Sequence, residues 1–146
     1  MEKKTVLISG GTSGIGLASA RLCARAGMNV VINGRNEERG LQALHEVEPF
    51  GNVMYVKGDV TAEDDCQRMV EAAVSTFGNL TGLVTSAGYY RQELLENEKS
   101  EEIRRIFEVN VFGTVLLCRA AYGALKKHGG SIVIISSDAG LQGNAA

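Results

Sequence analysis

The chain carries almost no net charge, −2 over 146 residues, and its lysines and arginines are scattered. That excludes the basic surface of a nucleic-acid or anionic-membrane binder. Cysteine is scarce: Cys23, Cys66 and Cys118 are odd in number and far apart. They form no metal-ligand spacing, and each falls in an apolar helical pattern, so all three read as buried free thiols and no metal site is expected. No apolar run reaches the length of a membrane-spanning helix. The start, Met1-Glu2-Lys3-Lys4, precedes only Val6 to Ile8 before two glycines, too short for a signal peptide, so a cytoplasmic protein is expected. Repeats, linkers and low-complexity segments are also missing. What remains is 45% apolar and 22% charged, the composition of an ordinary globular protein of one domain, residues 1–146.

Apolar runs of strand length alternate with helical patterns. Val6–Ile8, Val30–Ile32, Val53–Val56, Leu83–Val84 and Ile132–Ile135 read as five strands. Between them the pattern predicts a helix from Ile15 to Ala26 ended by Gly27, and one capped by Asn36 running to Val47 before Pro49. A third opens on a capping-box-like Thr61 and Asp64 and buries Cys66, Met69, Val70, Ala73, Val74 and Phe77 before Gly78. A long helix runs from near Ser100 to His128, with Ile103, Phe107, Asn110, Thr114, Cys118, Ala121 and Leu125 on one core-facing stripe. The strands are near-continuously apolar, which marks a parallel sheet covered on both faces. The expected fold is α/β: a Rossmann-type, doubly wound parallel sheet of about five strands.

The first strand runs into Ser9-Gly10-Gly11-Thr12-Ser13-Gly14-Ile15-Gly16 and then a helix. Glycines there permit unusual dihedrals and let a pyrophosphate approach the backbone, while the helix amino terminus offers N–H groups and a positive dipole end. Leu17-Ala18 after Gly16 excludes a Walker A loop, and Ser19 excludes the G-x-G-x-x-G spacing. The pattern is G-x-x-x-G-x-G. A tight turn without a ligand is the bland alternative.

At these residues the sequence resembles the short-chain dehydrogenase/reductase family. The turn resembles its cofactor motif, with Ser9 for the usual Thr. Asp59-Val60 resembles the adenine pocket, and Ser86-Ala87-Gly88 the Asn-Ala-Gly motif, with Ser for Asn. Val109-Asn110-Val111 resembles the helix segment with the active-site Asn, and Ile134-Ile135-Ser136-Ser137 the strand end with the active-site Ser. The resemblance covers essentially the whole chain. It implies cofactor contacts at Gly10, Gly14, Ile15, Gly16, Asp59, Val60, Ser86, Ala87 and Gly88, and catalytic roles for Asn110 and Ser137.

An acid about 20 residues beyond the glycine turn would hold an NAD ribose. The second strand instead ends at Asn33-Gly34-Arg35. Guanidinium pairs with a 2′-phosphate that a carboxylate would repel, so NADP(H) is the expected cofactor, NAD(H) the lesser alternative. Thr12 or Ser13 would add a hydroxyl; a solvated Arg35 is the bland reading. Asp59 has two readings, an acceptor for the adenine amino group and a turn residue beside Thr61. Asn110 likewise reads as a structural amide tying helix to sheet and, by the resemblance, as the anchor of a relay water. By the resemblance, Ser137 would steady a substrate carbonyl; without it, Ser137 is a turn residue.

The family's proton-donating Tyr, with a Lys four residues on, follows its active-site Ser. Residues 138–146 contain neither. Tyr122 and Lys126 have the spacing but precede the serines; Tyr122 is expected to pack beside Ala121 and Leu125. Tyr89 and Tyr90 read as substrate-side wall or loop. The expectation is an NADP(H)-dependent oxidoreductase acting on a small carbonyl or alcohol, in the form of an inactive fragment with an exposed fifth strand. By resemblance it would pair with a second copy through helix 100–128. The alternative is a non-catalytic NADP(H)-binding module or sensor. A methyltransferase is disfavoured because Arg35 stands where its nucleoside ribose wants an acid.

Overall fold

The computed structural model describes residues 2–142. Five strands, β1 (Thr5–Ser9), β2 (Asn29–Gly34), β3 (Val53–Lys57), β4 (Gly82–Thr85) and β5 (Ser131–Ile134), form a sheet in the order β3-β2-β1-β4-β5. Every neighbouring pair is parallel. That order is the doubly wound Rossmann arrangement, with its reversal between β1 and β4.

Side-chain alternation divides the core into two layers. Val6 and Ile8 of β1 and Val30 and Ile32 of β2 face helices α1 (Gly14–Arg25) and α2 (Glu37–Val47), meeting Ala20, Ala24, Ala43 and Val47. Leu7, Val31 and Leu83 point the other way, onto α3 (Glu63–Phe77). The same layer takes in the long helical run made of α4 (Ser100–Phe107), a π-helical turn (Glu108–Phe112) and α5 (Gly113–His128). Burying each Leu or Val there contributes about 1.5–3 kcal/mol. A four-residue helix, α6 (Ala139–Gln142), follows β5.

Local chemistry sets the element ends. The Asn36 side chain caps α2 by accepting the Arg39 N–H at 2.9 Å. Gly27, Gly78 and Gly129 take left-handed backbone just past α1, α3 and α5. The expected Thr61–Asp64 capping box does not form. Ala62 occupies the cap of α3, while the Thr61 N–H and hydroxyl both donate to Asp59 Oδ1 at 2.9 Å. Asp65, not Asp64, reaches back, accepting the Asp59 N–H at 2.7 Å.

The long helix also departs from its expected stripe. Val109, Gly113, Leu117, Ala121 and Leu125 are buried, whereas Ile103, Phe107 and Asn110 are exposed and Thr114 and Cys118 half-buried. A π turn inserts one residue, which rotates the following face by roughly 100° relative to regular periodicity. Ser100–His128 is also the one run, among the described residues, long and apolar enough to cross a membrane by length and composition. Cover on both faces holds for β1 and β2, but β3 is mainly half-buried and β5 exposed throughout. Cys23 and Cys118 are only half-buried; Cys66 alone is fully buried, its thiol donating to the Val60 carbonyl at 3.2 Å.

Burial pushes the Cys66 thiol up to about 11, with Asp65, Asp59 and Glu63 adding to the shift. Unfolded, the thiol titrates near ~8.5. Its contribution to stability is therefore complete below that pH and is lost as pH rises through about 11. Cys66→Ser keeps the donor without the ionisation. Urea unfolding between pH 8 and 10.5 should show a shallower loss of stability for the variant than for the parent chain.

Candidate functional site

A cavity of about 730 Å³ opens over the carboxyl ends of β1, β2 and β4, at the reversal of strand order. Gly10 and Thr12–Ile15 form its floor, and Asn33–Asn36 with Arg39 one wall. Gly58–Val60, after β3, continue that wall, and Ser86–Gly88, after β4, line the cavity on the other side of β1, with Arg105 and Val109 from the long helix and Ile135 beyond β5 also bordering it.

Backbone crowding shapes the floor. Gly10 has φ +64°, and a Cβ there would lie 2.7 Å from the Ala87 nitrogen. A Cβ on Gly16 would lie 2.3 Å from the Gly10 carbonyl oxygen. Gly14 has φ +52° yet faces nothing within 4 Å, so its bare backbone opens onto free space. Ser13 caps α1 without spending its hydroxyl on the helix, and the first turn of α1 holds no acid to offset its positive end. The Ser9 hydroxyl accepts the Ser86 and Ala87 N–H groups at 3.2 and 3.3 Å, tying β1 to the turn after β4.

Buried Asn33 donates to the Val56 and Gly58 carbonyls at 3.1 and 3.0 Å and so locks the ends of β2 and β3 together. The Tyr55 hydroxyl donates to the Gly34 carbonyl at 2.9 Å. Burial and the Glu37 carboxylate both hold that phenol above its ordinary range. Arg35 lies 3.7 Å from the Asp59 carboxylate. Asp59 is the turn residue expected beside Thr61, its Oδ1 accepting both Thr61 donors, and it also lines the cavity. Asn33, Tyr55, Arg39 and Arg105 were not singled out by the sequence motifs. The amide in a strand end otherwise apolar was the available signal for Asn33; the other three carry none.

Of the residues expected at the cofactor, all but Gly16 line the cavity, and Gly16 shapes its floor from beneath. Asn110 and Ser137 do not line it. The Asn110 amide clasps the Tyr89 backbone, accepting its N–H at 2.7 Å and donating to its carbonyl at 2.8 Å. Tyr89 in turn carries the Arg105 guanidinium 4.3 Å above its ring and donates its hydroxyl to Glu102 at 2.6 Å. That hydrogen bond holds the phenol above and the Glu102 carboxyl below their ordinary ranges. The Ser137 hydroxyl accepts the Ala139 N–H at 3.2 Å, at the start of α6. Tyr122 is 60% exposed, so it does not pack beside Ala121 and Leu125; instead Lys126 lies over its ring at 5.8 Å.

The sequence profile described as short chain dehydrogenase matches residues 4–146. The chain belongs to the short-chain dehydrogenase family. It is 35% identical over 142 residues to carbonyl reductase family member 4 of Danio rerio, covering 97% of this chain and 60% of that protein. Against L-fucose dehydrogenase of Mus musculus the identity is 39% over 143 residues, covering 97% and 51%. A short-chain type dehydrogenase/reductase from Mycobacterium ulcerans superposes with a TM-score of 0.89 at 35% identity, covering 95% of this chain and 53% of that one. The chain therefore spans between about half and 60% of the length of these relatives.

Membership of the short-chain dehydrogenases implies a nicotinamide dinucleotide cofactor. The residues fit such a group: Gly14 offers open backbone at the amino end of α1, beside the unspent Ser13 hydroxyl. Gly16→Ala drives a methyl into the Gly10 carbonyl and should weaken dinucleotide binding more than tenfold while lowering the unfolding temperature. Gly14→Ala meets no atom, but its backbone strain costs about 1–2 kcal/mol. Calorimetric titration with NADPH, alongside thermal unfolding, separates the two; equal binding by Gly16→Ala and the parent chain would refute the crowding argument.

Proposed function

We propose that this protein is an NADP(H)-dependent oxidoreductase and that this chain holds the dinucleotide. The observation that carries the cofactor choice is the end of β2. Asn33-Gly34-Arg35 brings a guanidinium and no carboxylate to the cavity wall. In this reading the turn Gly10–Gly16 and the start of α1 receive the pyrophosphate, and Thr12 and Ser13 supplement Arg35 at the 2′-phosphate. Asp59 accepts from the adenine amino group, the Val60 backbone meets the ring edge, and Ser86-Ala87-Gly88 borders the nucleoside.

A dinucleotide held there would supply hydride exchange with a carbonyl or alcohol carbon. Ser137 steadies the substrate oxygen as it gains charge, and Asn110 holds a water for proton passage. Neither the Tyr nor the Lys that would deliver the proton lies in residues 138–146. A small substrate of this class accords with relatives named carbonyl reductase, L-fucose dehydrogenase and cyclopentanol dehydrogenase. Exposed Phe107, Val111, Phe112, Val115 and Tyr122 support pairing through the long helix.

A second reading is an NADP(H)-binding module without catalysis. It is favoured by Asn110 and Ser137, whose side chains are spent on Tyr89 and Ala139 away from the cavity wall. Reduction of a panel of carbonyl compounds decides between the two, since turnover by the protein as its source makes it removes the second. The cofactor assignment has its own test. Arg35→Glu should raise the Kd for NADPH by at least a hundredfold and that for NADH by less than threefold; equal losses would sink it.

A further inference from the structure

We infer that Arg105, carried by α4 and stacked on Tyr89, is a second contact for the dinucleotide's diphosphate, meeting it from the β4 side of the cavity. This deepens the reading in which the glycine turn receives the diphosphate, and rests on it. The turn itself brings little charge. Residues Gly10–Leu17 include no lysine or arginine. The amino end of α1 contributes about half an elementary charge, whereas the diphosphate carries a negative charge on each phosphate. Further positive charge comes from the cavity walls, whose cations are Arg35, Arg39 and Arg105. Arg35 and Arg39 stand beyond β2, and Arg35 also faces the Asp59 carboxylate at 3.7 Å. Arg105 stands across β1 from them, against the segment that follows β4.

Arg105 is held in place and its charge is left unspent. Its guanidinium lies 4.3 Å above the Tyr89 ring. Stacking engages the flat face of the guanidinium and leaves the N–H groups at its edge free to donate. The ring beneath is fixed at both ends. The Asn110 amide clasps the Tyr89 backbone at 2.7 and 2.8 Å, and Glu102 accepts the Tyr89 hydroxyl at 2.6 Å. Glu102, one turn earlier on α4, also lies 3.8 Å from Arg91. Among the described residues no carboxylate lies within ion-pair distance of Arg105. Gly14 faces nothing within 4 Å, so a phosphate at the turn has room on its outer side.

The test is calorimetric titration of the protein and its variants with NADPH, NADH and ADP-ribose, which share the diphosphate. Arg105→Ala should raise all three Kd values about tenfold, the scale of one charge-assisted contact. The preference between NADPH and NADH should not move. Affinity for ADP-ribose should fall less steeply with added salt in Arg105→Ala than in the parent protein, because one charged contact is gone. Arg105→Lys, which keeps the charge and loses the fork, should fall between. Tyr89→Leu keeps the backbone clasp and removes the ring. It should weaken all three ligands about threefold in the parent protein and add nothing once residue 105 is alanine, as expected of a positioning residue. Arg105 is exposed, and its variants should unfold at the parent temperature. Unchanged Kd values in Arg105→Ala, the result if Arg105 meets an anion on the substrate instead, overturn this inference and leave the role of the turn standing. A loss confined to NADPH does the same. A parent protein that binds none of the three overturns both.

Discussion

The structure turns on one close approach of backbone to backbone. Where β1 gives way to α1, Gly16 sits directly beneath the Gly10 carbonyl, and Gly10 abuts the Ala87 amide at the end of β4. No side chain fits at either contact. Three segments therefore converge on one point at the reversal of strand order, and the gap that opens above them is the cavity. The Ser9 hydroxyl fastens the same junction by binding the N–H groups of Ser86 and Ala87. Loosening this point would separate the floor of the site from its wall.

The rest of the site is held by polar groups at strand ends. Asn33 and Tyr55 knit β2 to β3 and to the start of α2, so the basic corner at Arg35 and Arg39 is fixed by buried or half-buried hydrogen bonds. On the other side, Tyr89 gathers Asn110, Arg105 and Glu102 around one residue. The π turn at Glu108–Phe112 is what carries Asn110 out of the core to reach that backbone. A helix of ordinary pitch would place the amide elsewhere, which accords with the tendency of π turns to occur at functional positions.

Much of this was legible beforehand. The strands and the helices up to α3 follow from apolar runs, glycine stops and the Asn36 cap, because such signals act over a few neighbouring residues. The glycine turn announced a backbone-lined site for the same reason. The Thr61–Asp64 cap and the stripe through Asn110 were misread. The first lost to Asp59, whose carboxylate takes both Thr61 donors; the second assumed a regular pitch that the π turn breaks.

The sequence by itself determined the alternating β and α elements, the parallel sheet they imply, and the presence of a basic residue where an acid would favour NAD. These depend on local spacing and residue chemistry. Only the tertiary structure decided that Arg35 faces Asp59, that Arg39 joins it on the cavity wall, and that Asn110 spends its side chain on the Tyr89 backbone. Asp59 is 24 positions from Arg35 and Tyr89 is 21 from Asn110. Contacts across such separations arise from the packing of whole elements, which no local pattern records.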